Sequence, residues 1–541
     1  MQFDYDYLVV GSGFGGSVSA LRLSEKGYKV GVIERGKRFH GRDYARTNWD
    51  VRRYLWMPLL KCFGIQNMSL FKNVLILSGS GVGGGSLVYA NTLLEPGDSF
   101  YGAANWRELA DWKAELAPHY SMAKRMLGVT RNPHLNEVDQ KLLEVAREMG
   151  RESTFTSVDV GVFFGKPGEE GKKVPDPYFG GKGPERHACN LCGGCMVGCR
   201  FNSKNTLDKN YLFFAEKNGA EIIPETNVVE VRPIGGGDGS EGYEVVVERS
   251  TAWFAKDRRV LRARGVVLSA GVLGTVNLLL KCRDVTGSLP RLSKRLGFDI
   301  RTNSEALLGV TTRDSNRDFS KGIAITSGFY ADDVTHIEPV RYPSGSSFMK
   351  VLAAPMADDG NRVTRPLKLL AATVFHPIDS LRLLFNAKWA ERSIILLVMQ
   401  TLDNKMRFKL GRNLFTFFRK RLTTEVDASQ TIPSYIAIGH VVARALAKKV
   451  NAIPQSAVNE VLLQIPTTAH ILGGCGIGPD PEHGVIDGKH AVFGYRNMYV
   501  CDGSVIPANL GVNPSLTITA MSERAMSFVG PAAAGAPKRD K

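Results

Sequence analysis

The N-terminal segment YDYLVVGSGFGG leaves few choices for how this chain folds. Residues 5–10 form an apolar run that is typical of a buried strand. Gly11, Gly13 and Gly16 follow as G-x-G-x-x-G, before a helical stretch that should end at Gly27. Glycines at this spacing let a helix N-terminus approach a pyrophosphate closely. The sequence therefore predicts an α/β chain that begins with a Rossmann-like nucleotide-binding unit.

The acidic residue after the second strand narrows the choice of nucleotide. YKVGVIERG predicts that strand, and Glu34 stands at its end, 23 residues after Gly11. A carboxylate at this position accepts hydrogen bonds from the ribose hydroxyls of an adenosine and disfavours a 2′-phosphate, and so NADP.

Three further segments favour FAD over NAD. SGSGVGGGSLVYAN (78–91) is rich enough in glycine for its backbone to lie against a flat ring system. SAGVLGT (269–275) is a second strand-to-helix turn, and CDGSVIP (501–507) offers backbone N–H groups at a strand end. Besides the residues above, flavin contacts are predicted for Gly81, Gly83, Gly84, Gly85, Ser86, Asn91, Val229, Ala270, Gly271, Asp502 and Gly503.

Four cysteines lie within eleven residues: Cys189, Cys192, Cys195 and Cys199. Their C-x2-C-x2-C-x3-C spacing is that of bacterial ferredoxins and predicts an iron–sulfur cluster, which would pass electrons to an acceptor protein or quinone. Arg200 stands where ferredoxins place proline. Zinc, which also takes four cysteines, and unliganded thiols remain alternatives.

Charge and composition limit the partners. The 541 residues carry a formal charge of +16, but no basic stripe with interleaved aromatics, so an anionic membrane is a better partner than nucleic acid. A helix over 367–393 and a basic-aromatic patch at 413–421 suit peripheral membrane contact, although the helix equally suits packing on a core. Few cysteines, no signal peptide and no long apolar run favour the cytoplasm.

Five segments together resemble the glucose–methanol–choline (GMC) oxidoreductases, and within them the cholesterol oxidases: GSGFGG (11–16), GVGGGSLVYAN (81–91), SAGVLGT (269–275), HILGGCGIG (470–478) and YVCDGSVIPANLGVNPSLTITAMSERA (499–525). The resemblance implies FAD and hydride transfer from an alcohol to flavin N5. It also implies a GMC-type FAD-binding domain (1–105, 206–300, 465–541) interleaved with an α+β substrate-binding domain (301–464). The cysteine-bearing insertion is predicted to be 106–205.

The resemblance also supplies the catalytic candidates. His470 matches the histidine of His-x-Leu-Gly-Gly and implies a base for the substrate hydroxyl, while Asn513 of Gly-Val-Asn-Pro implies a donor to the oxyanion or the flavin edge. Glu338 in THIEPVRYP is the best match to the acid that isomerises a 5-ene to a 4-ene steroid, with a surface glutamate as the alternative. Ile471 departs from the proline usual in the oxidases.

The cysteine run also departs from the secreted cholesterol oxidases and is similar to a segment of membrane-associated sugar dehydrogenases that carry an iron–sulfur cluster. We expect FAD-dependent oxidation of a sterol or another bulky lipid alcohol, with electrons leaving to oxygen or through the cluster. A dehydrogenase of a terpene, fatty or sugar alcohol is one alternative. An electron-transfer flavoprotein without alcohol chemistry is the other.

Overall fold

The computed structural model describes residues 2–426 and 430–532. The sequence PAAAGAPKRDK (531–541) predicts a disordered tail, which lies largely outside the described residues. The helices are α1 (Phe14–Glu25), α2 (Val51–Tyr54), α3 (Asp98–Tyr101), α4 (Trp112–Leu127), α5 (Glu137–Glu148), α6 (Tyr211–Lys217), α7 (Gly271–Asp284), α8 (Thr364–Phe375), α9 (Pro377–Leu384), α10 (Trp389–Arg392), α11 (Ala437–Lys449), α12 (Val458–Leu462) and α13 (Ser515–Ser527).

The strands of the first 300 residues are β1 (Tyr5–Val10), β2 (Val30–Ile33), β3 (Trp56–Met57), β4 (Cys62–Phe63), β5 (Gln66–Leu70), β6 (Leu75–Gly79), β7 (Thr130–Arg131), β8 (Thr156–Ser157), β9 (Asp159–Val160), β10 (Lys173–Val174), β11 (Arg186–His187), β12 (Glu221–Ile223), β13 (Thr226–Pro233), β14 (Tyr243–Arg249) and β15 (Arg259–Leu268). The later strands are β16 (Ala306–Thr312), β17 (Ser327–Tyr330), β18 (Thr335–Val340), β19 (Ala353–Pro355), β20 (Ser393–Gln400), β21 (Arg407–Gly411), β22 (Arg421–Glu425), β23 (Ala452–Ala457), β24 (Thr467–Thr468) and β25 (Met498–Val500).

A seven-stranded sheet holds the nucleotide-binding unit. Its order is β12-β2-β1-β15-β14-β13, with β25 paired to β15. The central strands β2, β1, β15 and β25 run parallel, and most apolar residues of their paired segments are buried, as expected for strands covered on both faces. Helix α1 packs against α13 on one face of this sheet. The Rossmann-like start of the chain is therefore confirmed.

The sequence around β15 predicts two elements, a short meander strand at 258–262 and a separate return strand in RGVVLSAGVLGT, and the structure shows that this prediction is wrong. One continuous strand runs from Arg259 to Leu268. Its first half pairs antiparallel with β14, and its second half pairs parallel with β1. At its centre the exposed Arg262 and Arg264 alternate with the buried Ala263 and Gly265, so the side-chain alternation of a strand continues without a break.

A second seven-stranded sheet, in the order β19-β23-β16-β20-β18-β17-β8, is antiparallel throughout. Helix α11 covers it and shares a core with α5. Most of its strands come from the predicted substrate-binding segment, whereas β8 comes from the predicted insertion. The fold is thus mixed α/β: a Rossmann-like unit is joined to a second unit in which helices cover an antiparallel sheet. The domain boundaries stay a prediction.

Two helices expected from the sequence are interrupted. The stretch 206–217, closed by Asn218-Gly219, predicts one helix. The structure has a short 3-10 turn at Leu207–Lys209 followed by α6, because Asn210 leaves helical geometry. The helix expected over 367–393 is divided into α8, α9 and α10. Pro377 causes the first break, since its ring cannot continue a helix but starts a new one well.

Two expectations about the chain's chemistry can also be compared with the structure. All eight cysteines lie in the described part of the chain and none forms a disulfide. The four cysteines outside the cluster are scattered singly along the sequence, which predicts buried thiols, and Cys62, Cys282, Cys475 and Cys501 are indeed buried. Across residues 2–426 and 430–532, no helix combines the length and the apolarity that crossing a bilayer requires.

Candidate active site

A cavity of about 880 Å³ lies between the two seven-stranded sheets. One part of its wall is formed by the glycine-rich turns of the nucleotide-binding unit. The other part is formed by strands of the antiparallel sheet. His470 and Asn513 face the cavity where the two parts meet. The cavity therefore joins the predicted nucleotide site to the predicted catalytic residues.

The turn before α1 fits the phosphates of FAD. A Cβ added to Gly13 would meet nothing within 4 Å, so open space faces this residue. Gly13 caps α1 without a side-chain hydrogen bond, which leaves the N-terminal N–H groups available for an anion. A Cβ on Gly84 would lie 2.7 Å from the Gly13 Cα, so only glycine permits the two loops to approach this closely.

Glu34 occupies the predicted position at the end of β2 but is already well supplied with donors. Its buried carboxylate accepts hydrogen bonds from the Ser12 hydroxyl at 2.6 Å and from the N–H groups of Ser12, Gly36 and Gly81 at 3.2, 2.8 and 3.2 Å. It thereby ties three cofactor-facing segments together. Its contact with ribose stays a prediction.

Asp502 links the second and third glycine segments. Its carboxylate accepts hydrogen bonds from the Thr275 hydroxyl at 2.5 Å, in α7, and from the Ser504 N–H at 2.8 Å. Burial raises the pKa of Asp502. This buried pair fixes SAGVLGT against the C-terminal segment, so both reach the cavity together.

The predicted flavin residues divide into two groups. Those that line the cavity are Gly11, Gly13, Glu34, Gly84, Gly85, Val229, Ala270, Gly271, Asp502, Gly503 and Asn513. Gly16, Gly81, Gly83, Ser86 and Asn91 lie behind its wall. Gly16 illustrates why: a Cβ there would lie 1.9 Å from the Gly11 carbonyl oxygen, so its role is close packing of the turn.

The imidazole of His470 is held by a glutamate that sequence reasoning missed. His470 Nδ1 is hydrogen-bonded to the carboxylate of Glu305, which also accepts the Ala469 N–H at 2.8 Å. Glu305 is completely buried. Because Nδ1 is engaged, Nε2 is the ring nitrogen left free, and it has no hydrogen-bond partner among the described residues. This arrangement orients a histidine for proton transfer.

Glu338 lies beside Asn513, not at the surface. Asn513 Nδ2 donates to the Glu338 carboxylate at 3.2 Å, and both side chains are buried. Burial raises the pKa of Glu338 to about 8, against the lowering effect of the Asn513 hydrogen bond and with a further increase from Glu305. His336 is 3.9 Å away, and burial lowers its pKa to about 4. Glu338 does not itself line the cavity, but it lies directly behind Asn513, which does, so a carboxyl suited to carrying a proton adjoins the site.

One short buried segment, 302–305, positions both catalytic candidates, His470 and Asn513. Asn303 accepts the Leu510 and Gly511 N–H groups at 2.9 Å and donates to the Val512 carbonyl at 3.0 Å, which fixes the loop before Asn513. Two residues later, Glu305 holds His470. The only hint of Glu305 in the sequence is a single acidic residue before an apolar strand. That pattern is too common to predict a contact with a catalytic candidate.

The wall opposite the nucleotide site is apolar. The side chains that line it are Leu307, Ile325, Val340, Met349, Ile395 and Leu397, with Tyr342 among them. They come mainly from β16, β18 and β20. Side chains alternate between the two faces of a strand, and these residues point to the same face of the sheet. A wall of this kind binds a hydrophobic substrate and leaves orientation to the few polar groups at its end.

The four clustered cysteines do not form a metal site as placed. No group of three or more Cys, His, Asp or Glu side chains is arranged to hold a metal ion, as far as residues 2–426 and 430–532 show. Burial raises the pKa of the Cys189, Cys192 and Cys195 thiols, that of Cys192 to about 11. For Cys199, Lys209 and backbone N–H groups outweigh burial and lower the pKa. Iron–sulfur or zinc binding stays a prediction.

A buried lysine connects this cysteine segment to the glycine-rich loop at 81–91. Lys204 Nζ donates to the carbonyls of Leu87, Tyr89 and Cys195 at 3.0, 2.8 and 2.8 Å. Burial lowers its pKa to about 7 despite the opposing effect of Cys195 and Cys199. The cysteine segment therefore supports the loop at 81–91. Sequence reasoning missed Lys204, because no sequence pattern marks a lysine as buried.

Comparison with known proteins agrees with this geometry. A family model for GMC oxidoreductases matches residues 418–522, and one for NAD(P)-binding Rossmann-like domains matches residues 9–56. A cholesterol oxidase from Acinetobacter baumannii is 48% identical, over 97% of this chain and 94% of its own length. One from Mycobacterium tuberculosis is 48% identical, over 98% and 91%. A pyridoxine 4-oxidase structure aligns with a TM-score of 0.60 at 14% identity, over 97% and 99%.

Proposed function

The chain belongs to the GMC oxidoreductase family, among the relatives of the cholesterol oxidases, and is an FAD-dependent alcohol oxidoreductase; from this premise we propose that it oxidises the 3-hydroxyl of a sterol or a similarly bulky lipid alcohol to a ketone. The observation that carries the proposal is the position of His470 and Asn513 between a flavin-fitting cradle and an apolar wall. The 48% identity to two cholesterol oxidases supports a sterol in particular.

Bound FAD supplies the hydride acceptor. His470 Nε2 accepts the proton of the substrate hydroxyl, because Nδ1 is already bonded to Glu305. The buried Glu305 carboxylate orients the ring and stabilises the positive charge that the ring gains. Asn513, which is fixed through Asn303, donates to the developing oxyanion. The apolar wall excludes water and holds the ring system of the substrate.

Anaerobic flavin reduction with a panel of alcohols tests the substrate class. We expect a 3β-hydroxysterol to bleach the flavin faster than a long-chain primary alcohol, a terpene alcohol or a sugar alcohol. A sugar alcohol that reduced the flavin fastest would contradict the apolar wall as the binding surface. Reduction by none of the alcohols would favour an electron-transfer protein without alcohol chemistry.

We also propose that Glu338 isomerises a 5-en-3-one product to the conjugated 4-en-3-one, by removing a proton at C4 and returning one at C6. Glu338→Gln should still oxidise a 5-ene sterol but accumulate the 5-en-3-one, because glutamine keeps the Asn513 contact and cannot carry a proton. Product chromatography and absorbance of the conjugated enone measure this. Normal formation of the 4-en-3-one would exclude Glu338 from the step.

The pH dependence offers a second measurement on wild-type protein. The base form of Glu338 is the ionised carboxylate, and its pKa is raised to about 8. Isomerisation of added 5-en-3-one should therefore rise about tenfold per pH unit below pH 8 and level off above it. A flat profile between about pH 6 and pH 8 would contradict this prediction.

For the electrons we propose oxygen as the acceptor, in line with the names of the two oxidases above. A cluster in Cys189–Cys199 remains the other prediction, tested by iron and sulfide content after purification without oxygen. If the cluster exists, Cys192→Ser and Cys195→Ser should lose iron and still reduce flavin in a single turnover. Cys282→Ser, a buried thiol elsewhere, is the control. Wild-type protein without iron would show the cluster prediction wrong.

A further inference from the structure

Helices α8 and α9 present a continuous apolar face that the rest of the protein does not cover. Its side chains are between 55% and 76% exposed and recur at helical intervals: Leu367, Leu370, Val374, Phe375, Ile378, Leu381, Leu384 and Phe385. Single exposed apolar residues are ordinary, but eight on one pair of helices form a patch of the kind that marks an interaction site. We call this set the α8–α9 face.

The opposite side of the two helices is anchored by polar contacts. Arg365 is completely buried and donates from Nη1 to the carbonyls of Ser434 and Glu460 at 2.8 and 2.9 Å. In α9, Asp379 pairs with Arg313 at 2.6 Å. These polar contacts already hold the two helices in place. Polar residues at the outward positions would therefore serve folding equally well, and the apolar ones there call for another explanation.

Exposed basic residues flank the α8–α9 face, and the exposed side chain of Asp359 lies among them. Arg362, Lys368 and Lys388 are exposed and form no ion pair within residues 2–426 and 430–532. Arg382 is also exposed and lies 3.7 Å from Asp379, a carboxylate that Arg313 already neutralises. An apolar face with a rim of cations suits a surface that is apolar inside and anionic outside. The chain's overall charge of +16 has the same sign.

The face lies next to the cavity. The Ser347 hydroxyl donates to the Ala387 carbonyl at 3.2 Å and accepts the Ala390 N–H at 3.1 Å. Ser347 begins the 3-10 segment Ser347–Leu352, and Met349 of that segment lines the apolar wall. The chain just after α9 is therefore fixed to a piece of the substrate wall.

We propose that the α8–α9 face docks onto an anionic phospholipid bilayer, so that the apolar cavity receives its substrate from the membrane. The second part rests on the proposed function, whereas the docking itself does not. The eight side chains enter the acyl boundary, and the basic rim contacts lipid phosphates. A second copy of this chain would be repelled by the same positive rim.

Cosedimentation of the FAD-bound protein with vesicles tests the docking. Protein should pellet with phosphatidylglycerol–phosphatidylcholine vesicles and much less with phosphatidylcholine alone. Phe375→Glu/Ile378→Glu should lower the partition coefficient roughly tenfold or more, because two apolar groups leave the bilayer and two like charges face its lipids. Leu59→Glu/Phe254→Glu, on a different exposed patch, makes the same change in charge and should bind almost as wild type.

Activity separates docking from chemistry. With sterol carried by cyclodextrin, both double variants should match wild type, whereas with sterol in anionic vesicles only the α8–α9 variant should slow. Three outcomes would each overturn the proposal. They are failure of the wild-type protein to bind vesicles, equal losses of activity in the two double variants, and dimerisation that rises with protein concentration and that the α8–α9 variant abolishes. Vesicle binding without sterol oxidation would contradict the proposed function and leave the docking intact.

Discussion

His470→Ala should slow anaerobic reduction of the flavin by alcohol by roughly 10²- to 10⁴-fold, the usual contribution of a positioned acid–base group. FAD should stay bound, because His470 lies on a different segment from the glycine-rich turns that form the phosphate cradle. Stopped-flow absorbance of the flavin gives the rate directly. An unchanged rate would show that another group accepts the proton.

Glu305→Gln is the companion variant. Glutamine can still hydrogen-bond to His470 but lacks the charge that stabilises a protonated ring. We expect a smaller fall in kcat than for His470→Ala, with KM for the alcohol nearly unchanged, because Glu305 contacts the ring and not the substrate. A change in KM alone would indicate that Glu305 only shapes the pocket.

Gly13→Val should give a folded protein that has lost its FAD. The added side chain meets no protein atom within 4 Å of its Cβ, so the apoprotein accommodates it. The same open space is where the cofactor phosphates fit, so valine and FAD compete for it. Flavin absorbance per chain should fall close to zero and activity with it, while circular dichroism stays that of wild type.

Gly97→Val is a closely matched control. Gly97 also caps a helix, has extended backbone angles (φ −73°, ψ 176°, against φ −71°, ψ −165° for Gly13), and faces space free within 4 Å. It does not line the cavity. Full flavin occupancy in both variants would contradict the cradle assignment, and loss in both would point to a general effect of valine at a helix cap.

Residues whose chemistry is dictated locally were predictable from the sequence. The turn around Gly13 follows from the demands of one strand, one helix and one phosphate, all within a dozen residues. His470 and Asn513 were found by resemblance, and the structure brings both to one cavity. Pro377 also carried a local signal, since proline starts a helix more readily than it continues one.

Residues whose role depends on distant contacts were not predictable. Glu305 meets His470 across 165 positions of the chain, and Lys204 meets Leu87 across 117. Charged side chains of these types are mostly exposed, so nothing in their immediate sequence indicates burial. The thiols at Cys189–Cys199 show a different limit of sequence-based prediction. Their spacing is easily recognised, but spacing alone does not determine whether the side chains are arranged to bind a metal.

The packing of α1 against α13 has a consequence for how the protein is made. Arg22 in α1 forms a partly buried ion pair at 2.6 Å with Glu523 in α13, a separation of 501 residues, and Tyr211 donates to the same carboxylate. During synthesis, α1 therefore cannot complete this packing until α13, which follows it by about 500 residues, has been made. Contacts of such long range fold slowly and leave apolar surface exposed meanwhile. A nascent chain of this protein should therefore rely on chaperones, and FAD should be captured after translation has passed α13.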